Sequence, residues 1–170
     1  MNLDASQLAA VEAACTSRMS IVTGGAGTGK TTIINEITKR LESKGETVQL
    51  CAFAGKAAAR VREATSHPAS TIHRLLGYNG KQFMCESLAG QSIIIDEASM
   101  IDAALLAEVV NRNPRRLVLV GDQAQLPPVG RGQPFHDART IWPDLVHNLT
   151  TCYRATEAVY NAASIIREGG

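Results

Sequence analysis

The sequence predicts an α/β domain built on a mainly parallel sheet with helices on both faces. Short apolar runs alternate along the chain with stretches of helical periodicity, which is typical of parallel strands joined by helical crossovers. The predicted strands are residues 19–23, 47–53, 91–95 and 116–120, with 146–149 as a fifth. The predicted helices are residues 4–15, 30–43, 56–65, 102–111 and 156–167. A chain of 170 residues has the size of one such domain.

Residues 77–90 interrupt this alternation. Within them, Asn79-Gly80 is a strong signal for a tight turn between two strands. The segment therefore predicts a small β-hairpin insertion, and a plain connecting loop is an equal alternative because the segment is short.

Composition excludes several classes of protein. The net charge of +1 excludes a global polyanion-binding surface, so any nucleic-acid contact must come from a local basic groove. The four cysteines lie far apart without C-x-x-C spacing, which indicates neither a zinc site nor a disulfide framework. No run is long and apolar enough to span a membrane, and no signal segment is recognisable. We therefore expect a soluble protein of the reducing cytoplasm, without a membrane partner.

A phosphate-binding loop follows the first predicted strand. Residues 24–31 read Gly-Gly-Ala-Gly-Thr-Gly-Lys-Thr and match G-x-x-x-x-G-K-[ST] at a helix start. In such loops the backbone N–H groups cradle phosphates, while Lys30 adds a charge and Thr31 a hydroxyl for Mg²⁺. The candidate nucleotide-binding residues are Gly25, Ala26, Gly27, Thr28, Gly29, Lys30, Thr31 and Thr32. A flexible glycine turn is the alternative, but such turns rarely place Lys-Thr at a helix start.

Two carboxylates end the third predicted strand. Asp96 and Glu97 follow the apolar run Ile93-Ile-Ile and would lie at the carboxyl edge of the sheet, beside the phosphates. Asp96 is a candidate for Mg²⁺ or its water shell, and Glu97 for the base that polarises the attacking water. The alternative is a helix start in which Asp96 caps a free N–H.

Two glutamines have amides suited to nucleotide chemistry. Gln125 follows a strand and a tight Gly-Asp turn, so its amide could reach the γ-phosphate or the attacking water, while Asp122 could cap the turn. Gln7 could both donate to and accept from an adenine edge, which selects ATP. A solvated position on the first helix is the alternative for Gln7.

Taken together, these motifs resemble a known family. Lys30-Thr31, Asp96-Glu97, residues 121–129 and residues 71–76 are similar, in this order, to the first RecA-like P-loop domain of superfamily 1B DNA helicases of the RecD and Dda type. Residues 3–7 resemble the family's adenine-reading Q motif, and residues 149–154 resemble its fourth motif. The resemblance covers nearly the whole chain and implies ATP hydrolysis coupled to single-stranded DNA with 5′→3′ translocation.

The resemblance also assigns individual roles. It implies that Gln125 couples nucleotide state to DNA and that Arg154 contacts the γ-phosphate, as a guanidinium can. A surface salt bridge is the alternative for Arg154. Tyr153 could lie near the base or fill the edge of the core.

The implied DNA groove rests on two segments. Residues 52–58 and 71–76 resemble motifs Ia and Ib, and the candidate DNA-binding residues are Phe53, Lys56, Thr71, His73 and Arg74. RecD-like members usually have proline and threonine where this chain has Phe53 and Ala54, so the threonine hydroxyl that would meet a backbone phosphate is absent here. Phe53 could stack on a base or pack in the core, and the polar candidates could be surface groups or, for His73, a structural histidine.

The resemblance leaves part of a motor unaccounted for. Superfamily 1 helicases close ATP between two RecA-like domains, and motifs V and VI of the second are not found in this sequence. We therefore expect residues 1–170 to be one RecA-like ATPase domain of a longer helicase, or a half-motor with a separate partner. A nucleotide-gated DNA-binding or regulatory module without turnover of its own is the competing hypothesis. A small-molecule P-loop kinase ranks third because residues 121–129 would have no role in it.

Overall fold

The computed structural model describes residues 3–153, so Arg154 and the predicted helix at 156–167 lie outside the described residues. The strands are β1 Met19–Gly24, β2 Thr47–Ala52, β3 Ala69–Thr71, β4 Gln91–Asp96, β5 Arg116–Gly121 and β6 Val146–Leu149. The helices are α1 Ala5–Thr16, α2 Lys30–Ser43, α3 Gly55–Thr65, α4 Ile72–Leu75, α5 Ala103–Val110 and α6 Pro134–Ile141. Short 3₁₀ helices cover Ala98–Met100 and Pro143–Leu145.

The strands form one six-stranded sheet in the order β3-β2-β4-β5-β1-β6. Neighbouring strands are parallel throughout this sheet, which confirms the predicted fold class. In the register of the sheet, Ala52 pairs with both Thr71 and Asp96. The carboxyl ends of β3, β2 and β4 therefore lie side by side at one edge.

Alternate strand residues enter two separate cores. Ile94 packs in the core beneath α1 and α2, whereas Ile93 and Ile95 pack in the core beneath α5 and α6. All three are at most 1% exposed. Because successive side chains of a strand point to opposite faces, a continuous apolar run fills both cores at once, which explains why the strands read as unbroken apolar segments.

The first helix begins with a reciprocal cap. The Asp4 carboxylate accepts a hydrogen bond from the Gln7 backbone N–H at 2.8 Å, and the Gln7 side-chain oxygen accepts one from the Asp4 N–H at 3.1 Å. This capping box satisfies two amide donors that would otherwise lack partners. It also fixes the position of the Gln7 side chain.

One strand, two α-helices and both 3₁₀ helices were not predicted from the sequence. The strand β3 and helix α4 contain three and four residues, too few to show a hydrophobic period. Helix α6 begins with a proline in its first turn and spans only eight residues. The other strands and helices among the described residues lie within one residue of their predicted ends. Among the described helices, none is both long and apolar enough to cross a membrane.

Residues 77–90 contain one antiparallel bridge, between Tyr78 and Phe83, in place of the two strands of a full hairpin. Between them, the Asn79 side-chain oxygen accepts hydrogen bonds from the N–H groups of Lys81 and Gln82, each at 3.0 Å. This side-chain-closed turn spans four residues, not the two expected at Asn79-Gly80. The Asn79 side chain thus closes the turn by accepting from the backbone, as asparagine often does.

Candidate functional site

The loop between β1 and α2 is closed by its own hydrogen bonds. The Thr28 hydroxyl donates to the Gly25 carbonyl at 2.9 Å, and the Lys30 ammonium donates to the carbonyls of Gly24 and Gly25 at 2.5 and 2.8 Å. Gly27 and Gly29 have φ of 81° and 85°, in the left-handed region that favours glycine. The predicted phosphate-binding loop is therefore preformed at the amino end of α2, where helix N–H groups attract anions.

Gln7 secures this loop from α1. Its amide nitrogen donates to the Thr28 carbonyl at 3.2 Å, and a Cβ added at Gly29 would lie only 2.5 Å from that nitrogen. Gln7 is 4% exposed, so its alternative assignment as a solvated residue is wrong. The adenine-reading role stays a prediction.

A cleft of about 600 Å³ lies beside the loop. Half of its lining residues come from the loop and the start of α2, namely Ala26, Gly27, Gly29, Lys30, Thr31 and Thr32. The carboxyl ends of β4 and β5 add Asp96, Glu97 and Gln125. The cleft thus brings together the residues predicted to bind phosphate, hold Mg²⁺ and activate water. Of the predicted loop residues, Gly25 and Thr28 close the loop and do not line the cleft.

Asp96 lies at the end of β4 in a half-buried position. Burial raises the pKa of Asp96, while a hydrogen bond from the Glu97 N–H and the charges of Lys30 and Arg60 act in the opposite direction. A divalent cation would relieve the cost of burying this carboxylate, so its environment fits Mg²⁺. The capping alternative is not observed, because Glu97 holds the cap position of the following 3₁₀ helix and makes no side-chain cap.

Glu97 adopts a left-handed backbone conformation, with φ of 53°. This conformation is uncommon for a residue with a side chain and is often found at functional sites. The Glu97 carboxylate lies 3.8 Å from the Arg60 guanidinium. The predicted base therefore has a cationic neighbour on α3.

Gln125 lies at the far side of the cleft, on the turn after β5. The Ser99 hydroxyl donates to its side-chain oxygen at 3.4 Å. The Asp122 carboxylate accepts from the Ala124 N–H at 2.9 Å and so caps the turn, as the alternative interpretation of this segment predicted. This cap is compatible with a nucleotide role for Gln125, because Gln125 still lines the cleft.

The segment after β6 packs against the phosphate-binding loop. The Tyr153 N–H donates to the Gly27 carbonyl at 2.9 Å, and the Cys152 thiol donates to the Ala26 carbonyl at 3.4 Å. Tyr153 is 44% exposed and lines the cleft, so it does not fill the edge of the core. The predicted contact of Arg154 with the γ-phosphate lies outside the described residues.

The predicted DNA-binding residues follow the ends of β2 and β3. Lys56 and Arg74 are exposed, as a phosphate contact requires. Phe53 is half-buried and packs against the core beneath α5 and α6. The Thr71 hydroxyl caps α4 by accepting from the Arg74 N–H at 3.2 Å. His73 packs its ring at 5.6 Å from that of Tyr78. Three of the five residues thus have structural contacts of their own, and their DNA contacts stay a prediction.

Comparison with known proteins identifies the family to which this chain belongs. The family model described as "AAA domain" matches residues 2–170. The chain belongs to the AAA domain family. It is similar to the ATP-dependent RecD2 DNA helicase of Deinococcus radiodurans, with 42% identity over 142 residues that cover 81% of this chain and 20% of the relative. RecBCD enzyme subunit RecD of Haemophilus influenzae is 32% identical over 189 residues, covering 93% of this chain and 28% of the relative.

A solved helicase structure has the same fold as this AAA domain. The Pif1 helicase from Candida albicans superposes with a TM-score of 0.70 and 25% identity, over 91% of this chain and 41% of that one. Together with the RecD relatives, this likeness identifies the AAA domain as the RecA-like domain of a superfamily 1B helicase. It spans less than a third of the length of either RecD-type relative.

The sequence assigned no nucleotide role to Arg60, which lines the cleft of the AAA domain, or to the buried Ser99, which contacts Gln125. Both follow motif residues by a few positions, but only the packing of α3 and the 3₁₀ helix against the sheet shows which residues they contact. Spacing within one helix cannot indicate a partner on another element.

Proposed function

We propose that this AAA domain hydrolyses ATP with Mg²⁺ and couples turnover to single-stranded DNA, as the motor domain of a 5′→3′ DNA helicase. The observation that carries the proposal is the single cleft at the carboxyl edge of the sheet, which holds a preformed phosphate loop and two strand-end carboxylates. The likeness to RecD-type helicases supports the same reaction.

Each residue has a separate role in the proposed reaction. Lys30 and the loop N–H groups bind the phosphates, and Thr31 and Asp96 are the residues that would hold Mg²⁺. Mg²⁺ would neutralise charge that develops on the phosphates during transfer. Glu97 takes a proton from the attacking water, and Gln125 orients that water or the γ-phosphate. Arg154 adds a further positive charge at the γ-phosphate.

Coupling to DNA is supported by the order of the strands. The end of β2, which is followed by Phe53 and Lys56, borders β4, the strand that ends in Asp96, and the end of β3 lies on the other side of β2. Lys56 and Arg74 supply the exposed charges for a grip on phosphates that does not depend on base sequence. The proposed γ-phosphate site at the end of β4 and the DNA candidates after β2 therefore lie on neighbouring strands.

ATP turnover with and without saturating oligo-dT tests this function. The Glu97→Gln variant is the blank, since a glutamine keeps the size of the side chain but cannot accept the proton. We expect DNA to stimulate the wild type, and the variant to turn over about 100-fold or more slowly. Undiminished turnover by Glu97→Gln would refute the assignment of the base.

A second candidate is a nucleotide-gated DNA-binding module without turnover of its own. Superfamily 1 motors use two RecA-like domains, and this chain covers only 20% and 28% of its two RecD-type relatives. Nucleotide binding without turnover above the Glu97→Gln blank would favour this candidate. The missing catalytic groups would then be supplied by a second RecA-like domain, as partner or within a longer chain.

Residues 77–90 are proposed to act as a reduced pin that splits the duplex. Support comes from the antiparallel bridge between Tyr78 and Phe83, which follows the motif at residues 71–76. In the longer helicase, deletion of residues 81–87 should abolish unwinding and leave DNA-stimulated ATP hydrolysis. Retained unwinding would contradict the proposal.

We also propose the reducing cytoplasm as the compartment of the AAA domain. The four cysteines all lie within the described residues, and no disulfide joins them.

A further inference from the structure

Arg60 lines the proposed nucleotide cleft and lies on α3, the helix that also carries the DNA candidate Lys56. It lies on the second turn of α3, its side chain is 79% exposed, and it lines the cleft together with Lys30 and Thr31. In its ion pair with Glu97 only the carboxylate side is covered, at 27% exposure, and pairs with an exposed partner contribute little to stability. The stability of the fold therefore does not explain why an arginine occupies this position.

The geometry of the pair suits a shared ligand. At 3.8 Å, the guanidinium attracts the Glu97 carboxylate but lies beyond hydrogen-bond distance, so the carboxylate can still accept from a water. A guanidinium presents a planar fork of N–H donors that matches phosphate oxygens. Because Arg60 lines the same cleft as the phosphate-binding loop and lies beside Glu97, the predicted base, the terminal phosphate of a bound triphosphate would be the phosphate nearest to it.

We propose that Arg60 binds the terminal phosphate of the nucleotide and, through its pair with Glu97, makes α3 sensitive to whether a triphosphate or a diphosphate is bound. This inference rests on the proposed function of the cleft. A diphosphate lacks the group that Arg60 would contact, so the residue should contribute affinity to the triphosphate only. Arg60 is then both a phosphate ligand and a positioning residue for Glu97.

The same helix carries the nearest DNA candidate. Lys56 precedes Arg60 by one helical turn, so the two side chains leave the same face of α3. Ala57, Ala58 and Val61 are at most 4% exposed and pack α3 against the sheet. A displacement of the α3 backbone on binding of a terminal phosphate would therefore move Lys56 together with Arg60, because both lie on this helix.

Binding of fluorescent ADP and of a non-hydrolysable ATP analogue, with Mg²⁺ and the full chain, tests the proposal. We expect the wild type to prefer the triphosphate, and Arg60→Gln to lose about tenfold in triphosphate affinity while its diphosphate affinity stays within about twofold. Arg60→Lys should recover part of the loss, because it restores the charge without the fork. Arg62→Gln is the matched control on the exposed face of the same helix, and it should bind like the wild type.

Several results would overturn the proposal. These are an unchanged preference in Arg60→Gln, an equal loss for both nucleotides, or no preference in the wild type. Failure of the proposed function would look different, since the wild type would then bind neither nucleotide, or Lys30→Ala would bind as well as the wild type. The Lys30→Ala variant measured in parallel separates the two failures.

Discussion

The Tyr153 hydroxyl donates a hydrogen bond of 2.7 Å to the Asp4 carboxylate, and thereby joins the segment after β6 to the cap of α1. The backbone of Tyr153 also bonds to the Gly27 carbonyl in the phosphate-binding loop. Three stretches far apart in the sequence therefore meet at one rim of the cleft. Because Gln7 contacts the same loop, the capping box of α1 serves both the helix and the nucleotide site.

These hydrogen bonds predict an acid-sensitive contribution from Asp4. Bonds from the Ser6 hydroxyl, the Gln7 N–H and the Tyr153 hydroxyl hold the pKa of Asp4 well below its ordinary value of 3.8. A pKa that is lower in the folded state stabilises the protein above the ordinary value, and this stabilisation is lost as the pH falls below it. Asp4→Ala should lower the melting temperature at about pH 7, and the difference from wild type should shrink below about pH 4. A difference that stays constant across this range would contradict the prediction.

Replacing Gln7 by Glu tests the link between α1 and the loop. A carboxylate cannot donate to the Thr28 carbonyl, so a buried acceptor would lose its partner. We expect a loss of about 1–3 kcal/mol in the free energy of unfolding, measured with urea. Gln82→Glu, at an exposed position, should change the free energy by less than about 0.5 kcal/mol. Equal stability of the two variants would show that the Thr28 contact contributes nothing.

Gln125→Ala should separate nucleotide binding from DNA stimulation. The variant keeps the phosphate-binding loop, so we expect its ATP affinity to change by less than about threefold. Stimulation of ATP hydrolysis by oligo-dT should fall about tenfold or more, because the amide that orients the water or phosphate is gone. Gln133→Ala, which removes an exposed amide, is the control. Full stimulation in Gln125→Ala would remove this residue from the coupling.

The cysteines should differ in reactivity. Burial raises the pKa of the Cys51 thiol to about 12, and also raises the pKa of Cys15. Since the thiolate is the reactive form, iodoacetamide at about pH 8 should spare both in the folded chain and modify the half-buried Cys85 and Cys152 first. Peptide mass spectrometry gives the order of labelling, and all four should react in urea. Labelling of Cys51 as fast as Cys152 would mean that the sheet opens.

Much of the fold could be predicted because its strands are apolar runs bounded by turn residues. Helix α2 has its predicted ends, since the phosphate-binding motif marks where it begins. Strand β3 is only three residues long and depends on pairing with β2, which no local pattern reveals. The hairpin predicted at residues 77–90 is reduced to one bridge, and the Asn79 side chain closes its turn by accepting from the backbone N–H groups of Lys81 and Gln82.

The candidate site was predictable where chemistry and topology coincide. Parallel strands bring their carboxyl ends to one edge, so Asp96 was expected beside the loop and lines the same cleft as Lys30. The pair of Glu97 with Arg60 depends on how α3 rotates against the sheet, which sequence spacing does not specify. The structural contacts of Thr71 and His73 were equally hidden, because their partners are set by local packing.

We propose that residues 24–31 form a nucleotide site. Binding of a fluorescent ATP analogue with Mg²⁺ to matched lysine variants tests this proposal. Lys39 is an exposed lysine on the same helix as Lys30, so Lys39→Ala controls for the loss of one charge. We predict saturable binding by the wild type and Lys39→Ala, and a loss of about 100-fold or more in Lys30→Ala, whose charge lies at the phosphates. Equal binding by Lys30→Ala and Lys39→Ala would show that residues 24–31 are not the nucleotide site.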